Sequence, residues 1–378
     1  MLIFAALALV SLVQGCKNAI HYSQDFQWDA AKVLALRMNP YDLSLNPTDE
    51  LKALGYEEYY MKMEANQFPS LLWLLFPFTL LGPLTARYAW LASNLILTAL
   101  MLFLVYKTAF KGKEAEGFLL MALVMISGTP YRNQLGVGQH SVFSLAFFLL
   151  SVVFSGLSFQ KKGVQKRIFT LFSILFLGVA FFKYTLTAPL TLYYVYKRRI
   201  HIPVMAAAAH VVLTFFSAFW LGDSFINMIK KPLQVAAWLT SEGSFDIGAV
   251  LGALFPGGAS FSMAVMVLCM VLLLVYVLCM PEGFDIELLT VLALWSMVIT
   301  YHRIYDYFVL ALVAPGIYSL SGSKPKSPAF LFYLITTFVL FYVMRFFDGN
   351  PVFMIIAGSM YYILTVWMTV RLWKKRKK

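Results

Sequence analysis

The stretch FPSLLWLLFPFTLLG, residues 68–82, decides how the chain is threaded. Counted as a membrane crossing, it would place everything after it on the opposite side. It is only 15 residues long and is interrupted by Pro77, whereas a crossing takes about 20 apolar residues and disfavours an internal proline. As a crossing it would also put the cluster Lys107, Lys111 and Lys113 outside, against the bias of Lys and Arg toward the cytoplasm. The segment therefore reads as a juxtamembrane helix lying in the outer interface.

Outward from this stretch, basic residues mark the inner side at Lys161/Lys162/Lys166/Arg167, Lys197/Arg198/Arg199, Lys324/Lys326 and the tail from Arg371 to Lys378. Between these groups lie apolar runs near 1–15, 86–106, 116–128, 141–157, 168–182, 184–196, 202–221, 259–280, 287–300, 307–320, 328–347 and 352–372. The expectation is an all-α polytopic integral membrane protein of about twelve transmembrane helices, one membrane domain over residues 1–378, both ends cytoplasmic. Two long external segments result. Residues 16–85 carry Asp25, Asp29, Asp42, Asp49, Glu50, Glu57, Glu58 and Glu64; residues 222–258 carry Lys230, Lys231, Glu242 and Asp246. Connections of this length are uncommon unless they have a function.

Composition excludes a soluble fold. Of 378 residues, 61% are hydrophobic and 13% charged, and the mean hydropathy is +0.75. A soluble domain is about half apolar and about a quarter charged. Alternating ten-residue strands are absent, which argues against a membrane barrel. The net charge of +12 sits at the ends of apolar runs, so it serves anchoring and orientation rather than nucleic acid. Cys16, Cys269 and Cys279 offer no disulfide framework or zinc pattern. Residues 1–14, ending at LVQGC, also fit a leader before a lipidated Cys16. They lack a basic start, and Gln14 suits a cleavage motif poorly, so a short first span is preferred.

Polar residues gather at the outer side. Asp25 follows the first span, and Trp28–Arg37 reads as a short amphipathic helix stopped by Asn39-Pro40. Asp25 is either a general base or an N-cap or solvated charge. Arg87, at the start of the next span, reads as a snorkelling anchor. GTPYRNQLGVGQHS, residues 128–141, reads as a short external loop in which Arg132, Asn133, Gln139 and His140 face a shared cavity. Its glycines permit tight turns and form no dinucleotide fingerprint. Lys183 interrupts an apolar stretch at a cost of about 2.5–3.5 kcal/mol, so it belongs at the outer tip or in a wet pocket, against a lipid phosphate or ordinary headgroups. At another outer turn, His302 and Arg303 suit an anionic leaving group, while Arg303–Asp306 is also a possible structural pair. No His-Glu-x-x-His pattern supports a metal site.

Taken in order, DFQWDAAKVLALRMNPYD, NQFPSLLWLLFPFTLLGPLTARYAW, the GQ of LGVGQHS, FKYTLTAPL followed by KRR, and YHRIYDYFVLAL resemble glycosyltransferase family 87. This family belongs to the GT-C class of integral membrane enzymes. Pro69-Ser70 stands where the family usually has two prolines. The resemblance implies a GT-C-like fold with juxtamembrane helices in the long first external loop, and a polyprenyl-phosphate sugar donor entering from the membrane lipid. It further implies Asp25 as catalytic base, with Lys183, His302, Arg303, Gln139 and Arg132 as candidates for the donor phosphate and substrate. The implied reaction moves mannose or another hexose to a glycolipid, glycan or protein acceptor hydroxyl outside the cytoplasm of a cell membrane. A single displacement would invert the sugar. The leaving group already carries its phosphate, so no cofactor or metal is demanded. The rival readings are a transporter or flippase of lipid-linked saccharides, with charges near the bilayer midplane and related halves, and a noncatalytic membrane subunit.

Overall fold

A computed structural model describes residues 2–23, 25–46, 63–109, 115–238, 246–254, 259–320, 327–346 and 350–376. Lys111, Lys113, Lys324, Lys326, Lys377 and Lys378, used above as inner-side markers, lie outside the described residues, as does part of each long external segment. The described chain is helical and contains no strand. Seven of its helices are long and apolar enough to cross a membrane unaided: α1 (Leu2–Tyr22), a helix beginning at Pro83, Ser141–Gln160, Gly163–Thr187, His201–Leu221, one from Phe261 to Leu278, and one ending at Lys375. The protein is a polytopic helical membrane protein.

α1 is longer than the apolar run suggested, ending at Tyr22 rather than near residue 15. Its buried stripe Ala8, Ser11, Gly15 and Ala19 recurs at three- and four-residue spacing past the polar Cys16-Lys17-Asn18, so packing extends the helix. Small residues on such a stripe let a neighbour approach closely. After α1 come α2 (Trp28–Ala35) and α3 (Pro40–Leu45). The Asn39 side chain caps α3 by accepting from the backbone N–H groups of Tyr41 and Asp42. The segment α4 (Pro69–Thr79) is helical but bent by a 3-10 turn at Trp73–Leu75, and α5 (Pro83–Ala109) starts afresh after Gly82.

One expectation is corrected here. Residues 129–137 are not a loop but a helix. α6 (Ala115–Ser127) and α7 (Thr129–Val137) run together, broken at Gly128-Pro130, antiparallel along α5. The pairings climb in order: Phe118 packs on Tyr106 with ring centres 4.8 Å apart, Tyr131 donates to Thr98 at 3.0 Å, Gln134 to Asn94 at 3.0 Å, and Trp90 to the Gly138 carbonyl at 2.9 Å. The glycines of α1 and α7 serve contact. A Cβ on Gly15 would meet Leu135, and one on Gly136 would meet Asn18 at 3.0 Å.

Next come α8 (Ser141–Gln160) and α9 (Gly163–Ala180), a tight hairpin in which Ser151 and Ser173 each donate to the other's carbonyl. From Phe181 to Tyr196 the chain descends through short helical and 3-10 turns. It continues through α10 (His201–Leu221), α11 (Phe225–Trp238), α12 (Ile247–Leu254), α13 (Ala259–Leu278) and α14 (Asp285–Ile299). A 3-10 turn, Ile304–Val309, leads into α15 (Leu310–Leu320), followed by α16 (Pro328–Phe338) and α17 (Pro351–Lys375). The runs expected to cross at 116–128, 184–196, 287–300, 307–320 and 328–347 are the short or broken helices. They differ in burial: α14 is buried from Thr290 to Leu294, whereas α16 presents Leu331, Ile335 and Phe338 outward, as α10 and α13 present Val212, Phe219, Val267 and Leu268. Broken backbone is tolerated at membrane depth only where protein covers it.

Basic residues mark the end opposite Asp25. Lys197 pairs with Asp285 at 2.9 Å, Lys375 with Glu287 at 3.1 Å, and Arg199 donates to the Ser155 and Ser158 hydroxyls. At the other end, α2–α4 make a roof with its own apolar cluster of Phe26, Trp28, Leu34, Tyr41, Leu72 and Trp90. Trp28 donates to the Phe78 carbonyl and Lys32 to the Thr79 carbonyl, both at 3.0 Å. These bonds hold residues 68–82 on the side of Asp25, where α5 also begins. The two long connections meet there too, since Lys231 pairs with Asp42 and Asp223, each at 2.7 Å. Arg87 is no snorkelling anchor: it is buried and donates to the Ile20, His21 and Ser23 carbonyls, capping the end of α1.

Gly138 closes this end. Its φ of +77° terminates α7, and a Cβ would collide with the Ser23 hydroxyl. Gly138→Ala is therefore expected to destabilise the protein by about 1–3 kcal/mol, seen as a lower thermal midpoint in detergent; an unchanged midpoint would show that the close approach is dispensable.

Candidate active site

The polar end holds a cavity of about 140 Å³, whose lining includes Asp25, Gln139, Lys183, Arg303 and Tyr305 together with Gln27, Glu64 and Gln67. Each residue is placed by an interruption in the helices. Asp25 sits in the turn between α1 and α2, where its N–H donates to the Val137 carbonyl at 3.0 Å. Gln139 follows the left-handed Gly138, and its carbonyl accepts from Gln134 Nε2 at 2.7 Å. Lys183 lies at the break after α9, its N–H donating to Ser144 Oγ at 3.0 Å. Tyr301 and Arg303 lie in the non-helical segment after α14, with Arg303 Nε donating to the Tyr301 hydroxyl at 2.9 Å.

A continuous chain of polar contacts joins these segments. Gln139 donates from Nε2 to Asp25 Oδ2 at 2.6 Å and accepts at Oε1 from Lys183 Nζ at 2.9 Å. Lys183 Nζ also pairs with Asp306 Oδ1 at 2.6 Å and lies 4.7 Å from the centre of the Tyr305 ring. Asp306 accepts from Ser141 Oγ at 2.6 Å and contacts His302 Nδ1 at 3.1 Å, and the Arg303 N–H donates to it at 3.3 Å. A buried carboxylate is stable only when satisfied in this way. Lys183 and His302 hold the Asp306 carboxyl well below the usual carboxylate range despite its burial.

Burial pushes the Asp25 carboxyl above its ordinary value, while Gln139, Lys183 and Arg303 pull it back. Asp29, on α2, is pushed up to about 7 by burial, with the Glu64 and Asp25 charges adding to it. His140 lines the cavity, but burial and Lys183 lower it to about 3, so its ring is neutral; it stacks on Phe182 with centres 4.2 Å apart. The arrangement can therefore offer an ionised carboxylate beside fixed positive charge in a partly dry pocket. That is the composition needed to remove a proton at one point and stabilise an anion at another.

Of the residues singled out from the sequence, Asp25, Gln139, Lys183 and Arg303 come together. His302 and Arg132 do not join the lining. His302 is buried behind Asp306, with Nε2 against Thr300 Oγ1 at 2.9 Å. Arg132, carried on a helix where a loop was expected, turns toward α1 and donates to Gln14 at 3.1 Å. Lys183 is not a headgroup contact at an exposed tip but the partner of a buried carboxylate. From the sequence, Asp306 is only a possible partner of Arg303. The available signal is the lysine, since a cation inside an apolar stretch needs a carboxylate or backbone carbonyls to meet it. Gln27, Glu64 and Gln67 carried no signal beyond their place in the first long connection.

The ion pair is testable. Lys183→Met and Asp306→Asn are each expected to cost about 3–5 kcal/mol, because each strands a buried group. The double variant should cost less than the sum, measured by unfolding in detergent; simple additivity would show that the two side chains act independently.

The sequence pattern of glycosyltransferase family 87 matches residues 69–300. The matched stretch includes Gln139 and Lys183 but neither Asp25 nor Arg303 and Asp306, which the fold brings to the same cavity. No curated protein and no solved structure matches the chain. With more than half of its length matched, this helical membrane protein belongs to glycosyltransferase family 87.

Proposed function

We propose that the protein transfers a hexose, such as mannose, from a polyprenyl monophosphate to an acceptor hydroxyl at the extracytoplasmic side of the cell membrane. The observation that carries this reading is the Gln139 bridge, which holds the Asp25 carboxylate one side chain away from the Lys183 ammonium in one cavity. Asp25 takes the acceptor proton as the oxygen attacks the anomeric carbon. The departing phosphate gains charge, and Lys183 and Arg303 oppose that charge. Fixed charges in a partly dry site stabilise such a transition state without having to reorganise. One displacement inverts the sugar. No cofactor takes part; the lipid-linked sugar is a substrate.

The same reading gives twelve crossings with both ends cytoplasmic, the short and broken helices completing crossings beside the seven long ones. Two cysteines test the orientation, in a protein with Cys16, Cys269 and Cys279 replaced by alanine. Gly82→Cys should react with an impermeant thiol reagent from outside and Lys162→Cys should not; the reverse labelling would overturn both orientation and active-site side.

Activity tests the chemistry. Purified protein offered a panel of polyprenyl-phosphate hexoses and acceptors should form product detectable by mass spectrometry. Asp25→Asn keeps the size and much of the hydrogen bonding but removes the base, so turnover should fall about 10²–10⁴-fold, roughly 3–5 kcal/mol of barrier, with donor affinity nearly unchanged. Near wild-type transfer by this variant would remove Asp25 from the role. Movement of donor across vesicles without product would identify a flippase instead. Because Asp25 is raised, the acid limb of kcat/KM should lie above the ordinary aspartate value of about 3.9. Activity is then lost as pH falls and Asp25 takes up its proton; a limb at or below that value would contradict the base assignment.

A further inference from the structure

We propose that a groove between the starts of α9 and α10, at the end of the protein opposite the cavity, binds an anionic phospholipid. The site stands apart from the transfer chemistry and does not depend on the role of Asp25.

The sequence leaves this end short of counter-ions. From Gly117 to Gly222 there is no Asp or Glu, while Lys161, Lys162, Lys166 and Arg167 stand together where α8 turns into α9. Other cations of the same end are satisfied within the protein: Lys197 by Asp285, Lys375 by Glu287, and Arg199 by the Ser155 and Ser158 hydroxyls. The side chains of Lys166 and Arg167 have no partner among the described residues. The two helices run parallel from this end, and further along His210 Nε2 lies 2.8 Å from the Gly178 carbonyl. Their first turns frame a groove of about 560 Å³, lined by Lys166, Arg167, Thr170, Leu171 and Ile174 of α9 and by His201 of α10. Neither start is capped by a side chain, so both helix dipoles add positive potential to that of the cations.

The order of these residues selects the occupant. Lys166, Thr170 and Ile174 follow one another at one-turn spacing, with Arg167 and Leu171 beside them. A rise of about 1.5 Å per residue sets Ile174 roughly 12 Å further into the bilayer than Lys166. Cations come first and apolar side chains follow, which is the order of phosphate and acyl chain in a phospholipid. Leu171 is 55% exposed on a helix long and apolar enough to cross the membrane, so lipid reaches it from the side. A soluble anion would leave Leu171 and Ile174 unused, and a nucleic acid would have to lie against an apolar wall. Basic pockets between membrane helices hold anionic headgroups through this combination of charge and apolar depth.

The test titrates the full-length protein in detergent with phosphatidylglycerol and with phosphatidylcholine of the same chains, and counts bound lipid by native mass spectrometry. The wild type should favour phosphatidylglycerol by about tenfold or more. Lys166→Gln combined with Arg167→Gln should remove that preference, at about fivefold for each cation. Lys161→Gln combined with Lys162→Gln should keep it, although the same charge is lost from neighbours outside the lining. All four residues are exposed, so both double variants are expected to fold as the wild type does. Equal binding of the two lipids by the wild type overturns the proposal, as does a preference that survives in the Lys166/Arg167 variant. An equal loss in both variants overturns it as well, because it reports only diffuse surface charge. Displacement of the lipid by inorganic phosphate at constant ionic strength would do the same, since the apolar depth of the groove would then contribute nothing.

Discussion

A lysine in the middle of an apolar stretch can remain inside a helical bundle only if polar partners, a carboxylate or backbone carbonyls, meet it. Lys183 stands in that position, and Asp306 meets it at 2.6 Å. The burial of Asp306 would by itself favour a proton on the carboxyl, but Lys183, His302, Ser141 and the Arg303 N–H all favour the anion. The pair thus joins the break after α9 to the turn after α14 and the start of α8. Gln139 extends it to Asp25 and the end of α1. Four segments distant in sequence are held at one point by charge and hydrogen bonding, where hydrophobic packing alone would leave their order open.

The remaining architecture follows from protecting that point. Backbone must break to aim Gln139, Lys183 and Arg303 at one cavity, and broken backbone must be kept from lipid. The broken segments at the cavity and α14 accordingly lie inside, while α10 and α13 face outward. Beside the cavity, α2–α4 are fastened together by Trp28 and Lys32 to the carbonyls of Phe78 and Thr79, and the connections flanking them bring Gln27, Glu64 and Gln67 to the lining. Beside the cavity Gln27 and Gly138 both adopt left-handed backbone, as Arg198 does at the opposite end.

Local chemistry made part of this legible in the sequence. Length and Pro77 marked residues 68–82 as a non-crossing segment, and the bonds from α2 place that segment beside Asp25. Asn39-Pro40 ended one short helix and opened the next, because a side-chain cap and a fixed proline φ are local signals. Asp25, Gln139, Lys183 and Arg303 stood out as polar residues between apolar runs. What escaped was set by packing between distant segments. The small-residue stripe of α1 draws residues 129–137 into a helix although Gly128, Pro130 and Gly138 suggest a loop. The carbonyls at the end of α1 capture Arg87, which alone looks like a surface anchor. Apolar runs of similar length also gave no sign of which helices would form the shell and which the interior.

The proposed role of Asp25 has one stereochemical consequence. In that proposal neither Glu64 nor Asp306, the other carboxylates lining the cavity, attacks the sugar, and transfer is expected in one displacement at the anomeric carbon. The direct measurement is the anomeric configuration of the product, read by NMR after transfer from a donor of defined configuration to a saccharide acceptor. Inversion is the expected result. Retention would require a covalent or internal-return intermediate, and would contradict the role of Asp25 as a base acting on the acceptor hydroxyl.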